Sequence, residues 1–210
     1  MVTPPWNQRF FATTRGQLIL LLRRASQTVE ELAQALHLTD NAVRAHLATL
    51  ERDGLVEQQG VRRGSGKPAF VYALTPEAER LFPKAYEPVL DQLLGVLEEQ
   101  ESPEQVKALL RDTGRHLAKT WPIPAGDLRV RLRVATEALN SLGGLAELEE
   151  AEDAFWIRGQ RCPLAALVPD HPQICQLAEA LLSQLVGKPV QEHCARGEAP
   201  HCRFAITKTV

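Results

Sequence analysis

The sequence predicts a mainly α protein with an α+β part, built in two pieces. Three observations lead there. Residues 28–53 carry two helix-start signals separated by a short turn, and a glycine-rich hairpin pattern follows them up to residue 74. From residue 103 onward, helical patterns alternate with short strand-like runs. The four cysteines, at 162, 175, 194 and 202, all fall in the last quarter of the chain, so the second piece has a chemistry the first lacks. The first pattern is that of a winged helix-turn-helix, over residues 1–80. Residues 81–102 then read as a linker and dimerisation helix, and residues 103–210 as a C-terminal α+β domain containing the four cysteines.

Each element has a local reason. Residues 1–13 read as a loose arm, and 14–24 as a helix with Leu18, Leu21 and Leu22 on its buried side. Thr28 caps the next helix, and Glu31 three residues later completes a capping box. Val29, Leu32, Ala33 and Leu36 give that helix its apolar face. After the turn at His37-Leu38, Thr39 caps a third helix that keeps Val43, Leu47 and Leu50 inward and ends at Gly54. Residues 55–57 and 70–74 read as paired strands, with Gly60, Gly64 and Gly66 letting the connection turn. Thr75-Pro76-Glu77 predicts another helix, threonine capping it and proline at its first position. Residues 86–99 form an amphipathic helix carrying Val89, Leu90, Leu93, Leu94 and Leu97. Residues 103–119 and 128–142 read as helices, 145–148 and 154–158 as short strands, and 172–186 as a helix ending at Gly187. Residues 190–193 and 203–207 read as a closing hairpin, and Glu149, Glu150, Glu152 and Asp153 as a solvated acidic turn.

Charge and composition exclude several classes. The net charge of −2 over 210 residues rules out a basic coat for nucleic acid. The distribution is mildly uneven: ten Arg/Lys against eight Asp/Glu in residues 1–80, and fourteen against eighteen in the remainder. The aliphatic run Leu18-Ile19-Leu20-Leu21-Leu22 is far short of the ~20 residues a membrane-spanning helix needs. The start Met1-Val2-Thr3-Pro4-Pro5-Trp6 lacks the charged and apolar regions of a secretory signal. A cytoplasmic location, without a membrane partner, is the expectation, and thiols stay reduced there.

The third helix is the expected reader of double-stranded DNA. With one stripe inward, it offers Asn41, Arg44, Ala45, Ala48 and Glu51 outward. Arginine pairs bidentately with guanine and asparagine with adenine, while the small Ala45 lets the helix approach closely. Thr39 sits at the helix start, and His46 lies at the edge of the stripe, where it either touches a phosphate or packs. Arg62, Arg63 and Lys67, among glycines, suit contact with phosphates or the minor groove. The alternative for these charges is a solvated loop, and for the helix pair a tri-helical core used in protein contacts.

Residues 42–56 resemble the recognition helix of ArsR/DeoR-like bacterial repressors. Gly66-Lys67-Pro68 followed by Tyr72-Ala73-Leu74-Thr75 is similar to their Gly-Arg-Pro wing and the Tyr-x-Leu-Thr after it. Lysine in place of arginine puts a bidentate wing contact in question, while a phosphate contact survives.

The cysteines are separated by twelve, eighteen and seven residues, without a C-x-x-C pair, so they are not a zinc ribbon by spacing. Burial as small apolar residues is one reading, and a shared metal site the other. Pro163 after Cys162 is a feature of iron–sulfur ligands, and Leu164, Val168 and Ile174 offer an apolar shell. Cys175 falls in the first turn of its helix, where the dipole favours a thiolate. Cys194 and Cys202 flank the turn of the closing hairpin.

Cys162-Pro163, His171-Pro172-Gln173-Ile174-Cys175, Leu185-Val186-Gly187 and Gly197-Glu198-Ala199-Pro200-His201-Cys202 extend the resemblance, to the C-terminal domain of SufR-type regulators. The resemblance implies a homodimeric repressor that reads a palindromic operator and senses cluster status through a bound [4Fe-4S] cluster. It implies Cys162, Cys175 and Cys202 as ligands, with the fourth being Cys194, His193, His201 or an outside group. His37, His116 and His171 read as surface or capping residues. No nucleophile–base–acid set stands out, so an enzyme is not expected. The alternatives are a zinc- or thiol-based sensor, a small-molecule-responsive repressor whose cysteines only pack, and an enzyme with an appended winged helix.

Overall fold

In the computed structural model, the residues described are 5–63, 68–122, 126–197 and 199–208, with side chains described from residue 8 onward. Helices and two small antiparallel sheets make up the described residues, a helix-rich α+β architecture. The chain divides into two compact units, Met1–Lys84 and Ala85–Val210.

The first unit runs α1 (Pro5–Phe11), α2 (Thr14–Arg24), β1 (Gln27–Thr28), α3 (Val29–Leu36), α4 (Asp40–Arg52), β2 (Val56–Arg62) and β3 (Ala69–Leu74). Thr13, Thr28 and Thr39 each cap a helix by accepting a backbone N–H three residues on. The Thr28–Glu31 capping box is complete. α3 closes on His37 in the left-handed region, φ 55°, and that residue makes the turn to α4. Gly54, φ 71°, ends α4. Leu18, Ile19, Leu32, Val43, Leu47 and Leu50 are buried together as the core. The sheet order is β1-β3-β2, with a bulge in β2 between Gln58 and Gly60.

Three expectations change here. Residues 5–11 are helical rather than a loose arm, because Phe10 and Phe11 find an apolar seat and Phe11 stacks on Phe82 at 5.2 Å. Gly16 permits this: a Cβ there would lie 2.2 Å from the carbonyl oxygen of Phe10. The helix expected from Thr75 shrinks to the 3-10 turn Ala78–Leu81. Thr75 still accepts from the Ala78 N–H, but its hydroxyl donates to Gly54 O at 2.7 Å, and Pro83 stops continuation. The two-residue strand β1, paired with β3, is an addition to the two strands expected.

The second unit runs α5 (Tyr86–Gln100), α6 (Pro103–Ala118), α7 (Leu128–Ser141), β4 (Ala146–Glu150), β5 (Ala154–Gly159), α8 (Cys175–Val186), β6 (Gln191–Glu192) and β7 (Cys202–Thr207). The 3-10 turn Pro172–Ile174 leads directly into α8. The amphipathic helix expected at 86–99 thus belongs to the second unit. The closing hairpin and the β4–β5 pair join into one sheet of order β4-β5-β7-β6. Phe155, Ile157, Phe204 and Ile206 point from that sheet onto Leu132 and Leu139 of α7 and Leu181, Leu182 and Leu185 of α8. A second apolar cluster joins Leu94, Val106, Leu110, Leu167, Val168, Ile174 and Cys175. Glu149 and Glu150 end β4, paired with Trp156 and Phe155 of β5, with Arg158 beside the first and Arg129 and Lys208 beside the second, while Glu152 and Asp153 lie in the exposed turn expected of all four.

Candidate functional site

The exposed side of α4 follows from its caps and its apolar stripe. Thr39 accepts from the Ala42 N–H at 3.3 Å and so fixes where the helix starts. With Val43, Leu47 and Leu50 buried, Asn41, Arg44, Ala45, Ala48 and Glu51 are exposed on the other side. His46 is half-buried at the edge. Of the wing cations, Arg63 is exposed and Lys67 lies outside the described residues. Arg62 is engaged within the unit: its Nη1 lies 2.6 Å from Glu31 Oε1, and its Nη2 donates to Ser26 O at 3.4 Å. The Thr28 N–H, donating to the same carboxylate, is the first reason that Glu31 stays below the usual carboxylate range, with Arg62 adding to it.

The second unit brings the four cysteines together from separate elements. Cys162 follows β5, Cys175 opens α8, Cys194 follows β6 and Cys202 opens β7. The sulfurs influence one another's ionisation in the order Cys162, Cys202, Cys194, Cys175, and those of Cys194 and Cys175 lie within 4.8 Å of each other. The sheet register sets Cys202 opposite Gly159, where a Cβ would lie 3.2 Å from Cys202 Cβ, so glycine keeps the site open. Backbone N–H groups point at two sulfurs: Leu164 at Cys162, and Arg203 at Cys194 with N···Sγ 3.4 Å. Cys162 and Cys194 touch both apolar clusters, so the group sits where the two cores of the unit meet.

A carboxylate and a guanidinium complete the surroundings. Glu192 lies with Cys175 and Cys194 in a group whose ligand atoms are all within 4.8 Å of one another. Its Oε1 accepts from the Cys194 N–H at 2.7 Å, its Oε2 pairs with Arg196, and Arg196 also reaches the Cys175 sulfur. His193 instead packs on Trp156, ring centroids 5.4 Å apart, and His201 is exposed.

Crowded thiols cannot all ionise together. Donation from Cys202 holds the Cys162 thiol below its usual value, although burial and the neighbouring sulfurs oppose this. Cys202 is pushed up to about 12, first by that same donation. Cys194 also rises to about 12: donation from Cys175 lowers it, but its own bond to Cys202 and its burial outweigh that. Cys175 is pushed furthest up, by its donation to Cys194 and then by burial. Four soft sulfur donors with N–H bonds and apolar walls fit a thiolate-held metal or iron–sulfur group.

Comparison with known proteins bears on the first unit. Residues 13–58 match the family model described as bacterial regulatory protein, arsR family. The first unit carries an arsR-type helix-turn-helix. That makes it the DNA-binding, transcription-regulating part of the chain, and the match spans α2, α3, α4 and the start of β2. No curated protein matches the chain significantly.

Beyond the arsR-type helices, three residues of the second unit escaped the sequence reading. Glu192 and Arg196 flank Cys194 but read as ordinary hairpin charges. His171, expected to cap or be exposed, is buried between two carboxylates of α5, its Nδ1 2.8 Å from Glu98 Oε2 and its Nε2 3.3 Å from Asp91 Oδ1. Burial works against its charge, but Glu98 and then Asp91 outweigh it and hold the pKa above the ordinary value. The seven-residue spacing of Asp91 and Glu98, on one side of a helix, was the available signal. Among the described residues, no helix is long and apolar enough to cross a membrane.

Proposed function

We propose that this protein is a cytoplasmic, homodimeric repressor of the SufR type. In this reading Cys162, Cys175, Cys194 and Cys202 hold a [4Fe-4S] cluster, and its presence sets affinity for a palindromic operator. The observation that carries the reading is the convergence of four cysteines from four places in the chain onto the boundary between two apolar cores. Buried cysteines that only pack have no need of mutual contact, N–H donors and a guanidinium together.

When bound, an iron–sulfur cluster supplies a redox-active group held by the four thiolates. The chain's own residues supply the rest. Ligation needs the cysteines as thiolates, so loading releases protons and falls off in acid. The N–H groups of Leu164 and Arg203 stabilise sulfur charge, Arg196 adds a positive charge beside Cys175, and the apolar walls limit water. On the DNA side, Asn41 and Arg44 read base edges in the major groove, Ala45 permits close approach, and Thr39, His46, Arg63 and Lys67 contact the backbone. α5 pairs the two copies: Tyr86, Val89, Leu93 and Val96 are exposed at the 3-4-3 spacing of a two-helix seam. Two copies so joined present two copies of α4 to two half-sites.

Anaerobic reconstitution tests the reading, with visible absorbance, iron and acid-labile sulfide measured, followed by gel shift of the loaded and unloaded protein. The expected outcome is a coloured protein whose operator affinity differs at least roughly tenfold from that of the unloaded form, a difference of ~1.4 kcal/mol. Colourless protein holding stoichiometric zinc would exclude the cluster. One observation favours that second, zinc-sensing reading: Cys175, Cys194 and Glu192 are close enough to share a single tetrahedral ion.

A further inference from the structure

His171 lies where the cysteine site and α5 meet. It belongs to the stretch between Cys162 and Cys175, which therefore carries two of the proposed ligands at its ends. Within that stretch the His171 N–H donates to Leu167 O at 2.8 Å, and the Ile174 N–H donates to His171 O at 3.0 Å. The histidine is thus tied into the short turns that lead to Cys175. Its ring reaches out of them to Asp91 and Glu98, two helical turns apart on α5. Between those carboxylates, Leu94 is the buried residue of α5, packed in the cluster that contains Leu167, Val168, Ile174 and Cys175. One row of α5, Asp91, Leu94 and Glu98, therefore rests on the 162–175 stretch. The opposite row, Val89, Leu93 and Val96, is exposed.

We infer that His171 is the positioning residue that passes occupancy of the cysteine site to α5, and so to the exposed seam. This rests on the proposed reading that the cysteines hold a metal or cluster. Drawing the sulfurs of Cys162 and Cys175 into ligand geometry moves the stretch between them. An apolar contact such as Leu94 lets one surface slide over another. A ring hydrogen-bonded to Glu98 through Nδ1 and ion-paired with Asp91 through Nε2 fixes two points on α5, so the helix follows the stretch or the contacts break.

Hydrogen exchange of the α5 amides in full-length protein, before and after anaerobic reconstitution, tests this. In the wild type, loading is expected to slow exchange across residues 89–100 by roughly 5–150-fold, the usual span for coupled sites. His171→Gln is expected to take up the same iron and sulfide while that slowing falls below about twofold. The double variant Asp91→Asn/Glu98→Gln repeats the test from the other partner, should His171→Gln fold poorly. A histidine that only adds stability would give a weaker fold whose α5 still responds to loading, and that result overturns the inference. A loaded wild type with an unresponsive α5 overturns it too, while leaving the proposed ligand site intact. A wild type that takes up neither iron–sulfide nor zinc removes the ligand site, and the inference with it.

Discussion

In the first unit, the residues proposed to read base edges point outward from a single helix; in the second, the proposed ligands point inward from four separate places in the chain. α4 needs only its cap and its buried stripe to present Arg44, so the consecutive residues 39–52 specify the face. The cysteine group needs the sheet to close, α8 to start at Cys175 and the hairpin to return Cys202 beside Cys162. An exposed reading surface can be built by local rules because water satisfies its polar groups until DNA replaces it. A buried polar group has no such solvent, so each sulfur must find partners through tertiary structure. The exposed face of α4 should therefore tolerate change in the second unit's core, and the cysteine group should not.

The largest expected effect tests whether the two cores are independent. Phe204 is fully buried in β7, two residues from Cys202. Phe204→Ala should remove roughly 3–5 kcal/mol from the second unit. In calorimetry one transition should fall and the other stay; a common shift would mean that the units unfold as one. Next, Arg44→Ala should weaken operator binding by roughly 1–3 kcal/mol and relax specificity, with iron uptake unchanged. Unchanged affinity in a gel-shift titration would remove Arg44 from the reading face. Thr28→Ala should lower the denaturation midpoint of the first unit by an amount corresponding to ~0.5–2 kcal/mol, since it removes a buried cap and one side of a capping box.

A subtler difference lies in pH. The folded pKa of His171 is raised above its ordinary 6.5 by Glu98 and Asp91. Glu101 and Asp170, which line the neighbouring recess with Glu98, add to the negative surroundings. The charged histidine's stabilisation is therefore fully present below that ordinary value and is lost as pH rises through the raised folded one. The melting temperature of the second unit should decline as pH rises above that ordinary value and through the raised one, and His171→Gln should flatten the decline. An equally steep decline in the variant would assign the effect elsewhere.

Much of the first unit was legible because its signals are local: Thr28 with Glu31, Thr39, and the 3.6-residue stripes of α3 and α4. α1 was missed because the value of Phe10 and Phe11 depends on distant Phe82. β1 was missed because two residues have no periodicity to read. In the second unit the helices, and the cysteines as a class, could be read from residue type. The order of sulfur contacts, the carboxylate of Glu192 and the burial of His171 could not, since each depends on residues brought together by folding.

The Arg62–Glu31 pair has a consequence for counting charges at the DNA. Each phosphate neutralised by a free cation contributes about 0.9 to the slope of log affinity against log salt. Arg63 starts exposed and should contribute in full. Arg62 must first leave Glu31, and added salt loosens that internal pair as it weakens the contact with phosphate. Arg62→Ala should therefore change the slope by much less than Arg63→Ala does; equal changes would mean that Arg62 is free when DNA arrives. The number of ions released on binding thus undercounts the cations on the wing, and ionic strength acts on the wing's anchoring even before an operator is present.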